Sequence, residues 1–162
     1  MLDVGAGNGV LTRALLASGA SVIAVEIHPS RIGTLRRRFA DDPVVIVAAD
    51  ASDLRLPRRE FRVVANPPFA IAMALVRRLV APGSRLVAAD LVLPRHIARR
   101  WCTGAPAGAH RWGGQFDVSL GLRVPSRSFR PAPARDAAVL RIRRRWRHEP
   151  ARRLRKGDPP AG

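Results

Sequence analysis

The chain has 162 residues, 29 basic and 12 acidic side chains and a formal charge of +17. Its length accommodates one domain with a short appendage and excludes two full domains, while 47% apolar and 25% charged residues exclude a disordered or fibrous chain. The excess of base over acid points to a polyanionic partner, and because Lys156 is the single lysine, the charge rests on arginine, whose planar fork suits phosphate.

In chain order, Met1-Leu2-Asp3-Val4 reads as the end of a buried strand entering a glycine turn. Strands average about 5 to 6 residues, so its beginning is expected to be cut by a truncated or mis-assigned start. Gly9 to Ser18 is a helix stopped at Gly19. Ser21 to Glu26 is a second strand. Pro29 opens a helix to about Phe39, with Ile32, Leu35 and Phe39 at helical spacing. Val44 to Ala48 and Phe61 to Ala65 are strands three and four, joined by a short polar connection. Ile71 to Val80 is helical, Pro82-Gly83 breaks it, and Arg85 to Leu93 is a fifth strand followed by a helix from Pro94 to Cys102. Thr103 to Gly114 is a loop. Phe116, Val118, Leu120 and Leu122 alternate with Asp117, Ser119, Gly121 and Arg123, the period of a strand. Pro125 to Pro133 is punctuated by proline, and Ala137 to Ile142 is the last strand. The alternation of strand and helix implies a mostly parallel α/β sheet with helices on both faces. From Arg141 onward the chain reads as a basic tail, and residues 139 to 162 carry nine basic and two acidic side chains.

Asp3-Val4-Gly5-Ala6-Gly7-Asn8-Gly9 has the form D-x-G-x-G-x-G between a strand and a helix. Its glycines permit close approach of a ligand to the backbone. The dinucleotide fingerprint G-x-G-x-x-G cradles a pyrophosphate; here the third glycine falls one residue early and an acid opens the motif, which suits a cation. Asp3 fits the ammonium of an amino-acid moiety such as that of S-adenosylmethionine. Glu26, 19 residues after Gly7, fits both hydroxyls of a ribose, and Asp50 fits an adenine amino group, with Ile27 and Ala51 beside them and Asn66 as a further cofactor contact. Three acids end three consecutive strands.

Asn66-Pro67-Pro68-Phe69 ends the fourth strand. An adenine exocyclic amine is a poor nucleophile because its lone pair is delocalised into the ring. The Asn66 side-chain oxygen and the Pro67 carbonyl are placed to accept its two N–H bonds and draw the nitrogen toward tetrahedral geometry. The prolines stiffen the turn, and Phe69 stacks on the base in a near-attack arrangement. Neither a covalent nucleophile nor a metal is needed.

With these motifs in this order, the chain resembles the rRNA adenine N6-methyltransferases, specifically the erythromycin-resistance (Erm) family and its dimethyladenosine transferase relatives, from about Leu2 to Arg145. The glycine turn, Glu26, Asp50 and Asn66 through Phe69 correspond to the family's motifs. So does Phe129-Arg130-Pro131-Ala132-Pro133, in which the resemblance implies that Phe129 holds the flipped target base. The resemblance implies a Rossmann-like fold, S-adenosylmethionine as cofactor, N6-methylation of an adenine in 23S rRNA, naked or partly assembled, and macrolide-lincosamide-streptogramin B resistance. Other readings are a small-subunit rRNA dimethyladenosine transferase, a DNA adenine methyltransferase, or an inactive RNA-binding fragment. Family members usually have Ile or Leu where Pro67 stands, begin with a segment over the cofactor and end in a helical domain. The expected organisation is therefore a short form, with a catalytic domain over 1–145 and a disordered basic tail over 146–162.

One cysteine, Cys102, excludes a disulfide framework and implies a reducing compartment. No apolar run reaches the ~18 residues of a membrane span, and no secretory signal opens the chain. A cytoplasmic monomer without membrane partners is expected. His28, His96, His110 and His148 lack metal-ligand spacing. Trp101 and Trp112 suit packing better than RNA stacking. The arginine groups 36–38, 58–59, 77–78, 99–100 and 143–145 together suggest a phosphate-binding surface.

Overall fold

The computed structural model describes residues 1–103 and 114–145. The expected loop over Thr103 to Gly114 lies mostly outside them, as do Trp112 and the tail after Arg145. Seven strands form one sheet: β1 (Leu2–Val4), β2 (Val22–Glu26), β3 (Val44–Ala48), β4 (Phe61–Ala65), β5 (Leu86–Pro94), β6 (Phe116–Val124) and β7 (Ala137–Arg144). Their order is β3-β2-β1-β4-β5-β7-β6. β1 to β5 are parallel, while β7 runs antiparallel between β5 and β6. The chain reverses direction across the sheet between β1 and β4, the switch point outside whose strand ends α/β proteins bind their ligands.

Helices α1 (Val10–Ala17) and α2 (Pro29–Arg38) follow β1 and β2; α3 (Phe69–Leu79) and α4 (Arg95–Cys102) follow β4 and β5. Alternation along β2 divides the core. Ala24 packs with Leu35 and Phe39 under α2, whereas Val25 belongs to the larger core with Leu75, Leu79 and Trp101 of α3 and α4. Trp101 is 2% exposed and its indole N–H faces the Met73 sulfur at 3.1 Å, so it packs inside the fold and does not stack on RNA. No helix among the described residues is long and apolar enough to cross a membrane.

Three expectations change. α3 begins at Phe69, two residues before the expected Ile71, because Pro68 caps it and proline is well suited to a helix entry. β6 is an edge strand whose register shifts between Leu120 and Arg123, so the alternation does not bury its apolar side: Phe116 is 2% exposed, Leu120 39% and Leu122 70%. The basic tail begins later than Arg141, because β7 takes up Arg141, Arg143 and Arg144. Arg143 holds both Asp90 carboxylate oxygens at 2.9 Å. Arg144 donates to the Leu86 and Ser84 carbonyls and lies 4.6 Å from the Phe116 ring centre, and Arg145 pairs with Asp117. These guanidiniums hold carbonyls and carboxylates of the sheet.

Candidate functional site

The ends of β1 and β4, the start of α1 and the segment before β7 surround a cleft of about 730 Å³. Its walls carry Asp3, Gly5, Ala6 and Gly7 on one side, Asn66 through Phe69 on another, and Phe129 on a third. Two motifs far apart in the sequence meet here directly: a Cβ built on Gly5 would stand 3.1 Å from Pro68 Cδ and 3.5 Å from Pro67 Cα. Gly5 has φ +76°, so both its conformation and the proline turn against it demand glycine. Gly9 serves packing and does not line the cleft. A Cβ there would meet Phe39 Cε2 at 2.4 Å and Leu35 Cδ2 at 2.8 Å, where α1 leans on α2. Gly9→Ala is expected to cost about 2 to 4 kcal/mol from overpacking and left-handed strain, measurable as a lowered urea midpoint.

Each acid that ends a strand has a different environment. Asp3 is 1% exposed, and Thr12, also buried on α1, donates its hydroxyl to Asp3 Oδ2 at 2.6 Å. Burial raises the Asp3 pKa to about 6, against the Thr12 hydrogen bonds that oppose it, and the Glu26 charge adds to the rise. Glu26 is 4% exposed. Burial alone would raise its pKa, yet it lies below the ordinary value because its carboxylate accepts backbone N–H bonds from His28, Gly7 and Ile27 and lies near the Arg31 charge. The Gly7 bond, 2.8 Å to Oε2, ties the glycine turn to the end of β2. Asp50 is exposed; its carboxylate accepts the Ser52 N–H at 2.8 Å, and that bond with the Ser52 hydroxyl lowers its pKa.

The structure thus brings Asp3, the glycine turn, the Asn66 turn and Phe129 into one cavity. Glu26, Ile27 and Asp50 lie beyond it at the ends of β2 and β3. Ile27 is 61% exposed, an apolar surface beside Glu26 open to a ring. Ala51 is 6% exposed and sits in the core, which leaves only its backbone to a ligand. At the cleft mouth, Asn66 and Phe69 are exposed while Pro67 is buried.

Two residues of the site were not read from the sequence. Thr12, three residues into α1, has the look of an ordinary helix threonine until the fold places it on Asp3. Asp136 anchors the segment that carries Phe129: its Oδ1 accepts the Ser126 N–H at 2.9 Å, and Oδ2 accepts Arg123 Nε at 2.8 Å. The Ser126 bond and the Arg123 bond together lower its pKa. Asp136→Ala is expected to free Phe129 and raise the KM for nucleic acid about tenfold while leaving cofactor affinity unchanged, as titration calorimetry alongside initial rates will show.

The sequence profile described as Ribosomal RNA adenine dimethylase matches residues 1–155. The chain belongs to that family. Among the adenine dimethylase relatives, Ribosomal RNA small subunit methyltransferase A of Synechococcus sp. (strain JA-2-3B'a(2-13)) is 33% identical over 94% of this chain and 57% of its own length. The Mycinamicin-resistance protein MyrB of Micromonospora griseorubida is 36% identical over 90% of this chain and 47% of its own. The crystal structure of the 23S rRNA methyltransferase ErmE superposes with a TM-score of 0.81 at 28% identity, covering 89% of this chain and 60% of that one. The chain spans about half to three-fifths of the length of these relatives.

Proposed function

We propose that the chain is the catalytic unit, over residues 1–145, of a cytoplasmic S-adenosylmethionine-dependent methyltransferase that acts on N6 of an adenine in 23S rRNA and confers macrolide-lincosamide-streptogramin B resistance. The observation that carries this reading is the contact of the Gly5 turn with Pro67 and Pro68, which sets a cofactor turn against an amine-orienting turn in one cleft. Likeness to MyrB and to ErmE supports the large-subunit substrate.

The residues fit the cofactor. Gly5 and Gly7 line the cleft with bare backbone, and a Cβ on Gly7 would meet nothing nearer than the Gly5 carbonyl at 3.9 Å, which leaves room for a ligand against the turn. Buried Asp3, aimed into the cleft from β1, suits an ammonium, and Glu26 at the end of β2 suits ribose hydroxyls. Bound there, S-adenosylmethionine supplies an electrophilic methyl group on its sulfonium. The protein's part is positioning and charge. Asn66 Oδ1 and the Pro67 carbonyl accept the two N–H bonds of the adenine amine and turn its lone pair toward the cofactor side of the cleft. Phe69 and Phe129 flank the base, which must leave its stack at a cost of a few kcal/mol. Transfer would break the S–CH3 bond, leaving a neutral thioether, as the N–C bond forms, and the amine's proton would then pass to solvent.

The second reading is methylation of small-subunit rRNA, favoured by the 33% identity to methyltransferase A over 94% of this chain. Incubation with tritium-labelled S-adenosylmethionine and separated 23S rRNA, 16S rRNA, DNA and protein decides between them. Label in 23S rRNA alone is expected. Label in 16S rRNA alone establishes the second reading, and label in none of them overturns both.

A further inference from the structure

The arginines divide into those that hold the fold and those that hold nothing within it. Arg38 donates to the Asn8 carbonyl, Arg78 to the Leu54 and Ser52 carbonyls, and Arg143 to Arg145 to strand ends and carboxylates. Arg55, Arg58 and Arg59, in the connection between β3 and β4, are exposed and pair with no carboxylate among the described residues.

These three rim a groove of about 570 Å³ whose apolar lining is Leu2, Ile23, Val25, Val47 and Leu54. The groove lies on the face of the sheet opposite Ala24 and α2. Ile23 and Val25 pair with Val45 and Val47, and Val45, on the same face of the edge strand, is 59% exposed. Pro57 and Arg58 also wall a second hollow of about 520 Å³ that holds Arg78, Ser84 and Arg85. An arginine-edged track therefore runs from an apolar trough, over the ridge at Pro57-Arg58, into a hollow of mixed polar and apolar lining. None of its residues lines the catalytic cleft.

We propose that this track is a second RNA-binding surface, in which a single-stranded segment of the substrate lays one or two unstacked bases in the apolar trough while Arg55, Arg58 and Arg59 hold its phosphates. It rests on the reading of the chain as an rRNA methyltransferase and adds a contact remote from the target adenine. Aliphatic side chains offer any base an apolar surface without reading its edge, and guanidinium forks grip the backbone beside it. An acidic amphipathic helix would need one continuous apolar trough for its i, i+3, i+4 anchors; here the ridge at Pro57-Arg58 interrupts it, and the second hollow mixes Leu56 and Ala81 with Arg78, Ser84 and Arg85.

The test uses the full chain and an adenine-free single-stranded RNA of about 12 nucleotides, carrying 5-iodouridine, within the range of site sizes of single-strand binding grooves. Anisotropy titrations compare Arg58→Gln/Arg59→Gln with Arg36→Gln/Arg37→Gln, an equal loss of charge on exposed positions of α2. The groove pair is expected to weaken binding about tenfold more than the control and to reduce the salt slope by about 1.4, as two lost phosphate contacts require. Photocrosslinks on the unaltered chain are expected within residues 54–59. Equal weakening by both pairs, an unchanged groove pair, or crosslinks elsewhere overturns the proposal. If the unaltered chain labels 23S rRNA and the groove pair binds like it, the track alone fails. If RNA crosslinks to 54–59 but no rRNA is methylated, the functional reading fails and the track stands.

Discussion

Asn66→Ala is expected to lower the rate of methyl transfer about 10²- to 10³-fold, the loss typical when one preorganised polar group at a reacting centre is removed, with cofactor affinity unchanged. The amine must surrender conjugation with its ring before its lone pair can attack, and it does so only if acceptors draw its hydrogens out of the ring plane. The alanine variant leaves the Pro67 carbonyl as a single acceptor. Pro67 itself is buried and Pro68 caps α3, so the turn keeps its shape and the effect falls on kcat. Asn66→Asp keeps an acceptor and is expected to retain more activity than alanine. Single-turnover transfer to a hairpin RNA measures the effect; equal rates for the parent and the alanine variant would sink the assignment.

The sequence made the sheet legible because its strands are short apolar runs bounded by Gly, Pro and Asp, and because a Gly-rich turn after β1 has few other uses. It made Asn66 through Phe69 legible as a motif for the same reason. It did not reveal that Gly9 serves the Phe39 and Leu35 contact, because packing partners distant in the chain leave no local mark. Nor did it separate structural arginines from free ones. Arg143 and Arg58 are alike in a sequence; only the register of β5 with β7, Asp90 opposite Arg141, brings Arg143 to a carboxylate. Thr12 and Asp136 were missed because their roles lie in tertiary hydrogen bonds to Asp3 and to the Phe129 segment. The apolar alternation of β6 predicted a strand correctly, but an edge position and a shifted register decide burial, and neither has a signature in one strand's own residues.

Affinity for S-adenosylmethionine is expected to fall about tenfold for each pH unit below about 6, because a proton on Asp3 competes with the cofactor's ammonium. Burial is the cause of that raised pKa, and the Thr12 hydroxyl limits the rise by stabilising the carboxylate. Thr12→Val is therefore expected to move the midpoint of the binding profile upward, and Thr12→Ser to restore it. Stability runs the other way. The folded chain holds the Asp3 proton more tightly than the unfolded chain does, so this group's contribution is fully present below about pH 4 and is lost as pH rises through about 6. At neutral pH the fold carries a desolvated charge that the Thr12 hydroxyl only partly offsets. Asp3→Asn removes that charge while leaving an oxygen to accept from Thr12, and is expected to stabilise the protein by roughly 2 to 3 kcal/mol above pH 7 and by little at pH 4. The same variant loses the ammonium partner, so cofactor binding falls at every pH. Thermal melts and calorimetric titrations across pH 4 to 8 test both signs together. A variant no more stable than the parent at neutral pH, or a cofactor affinity flat between pH 5 and 7, would refute the assignment of Asp3 as the buried anion of the site.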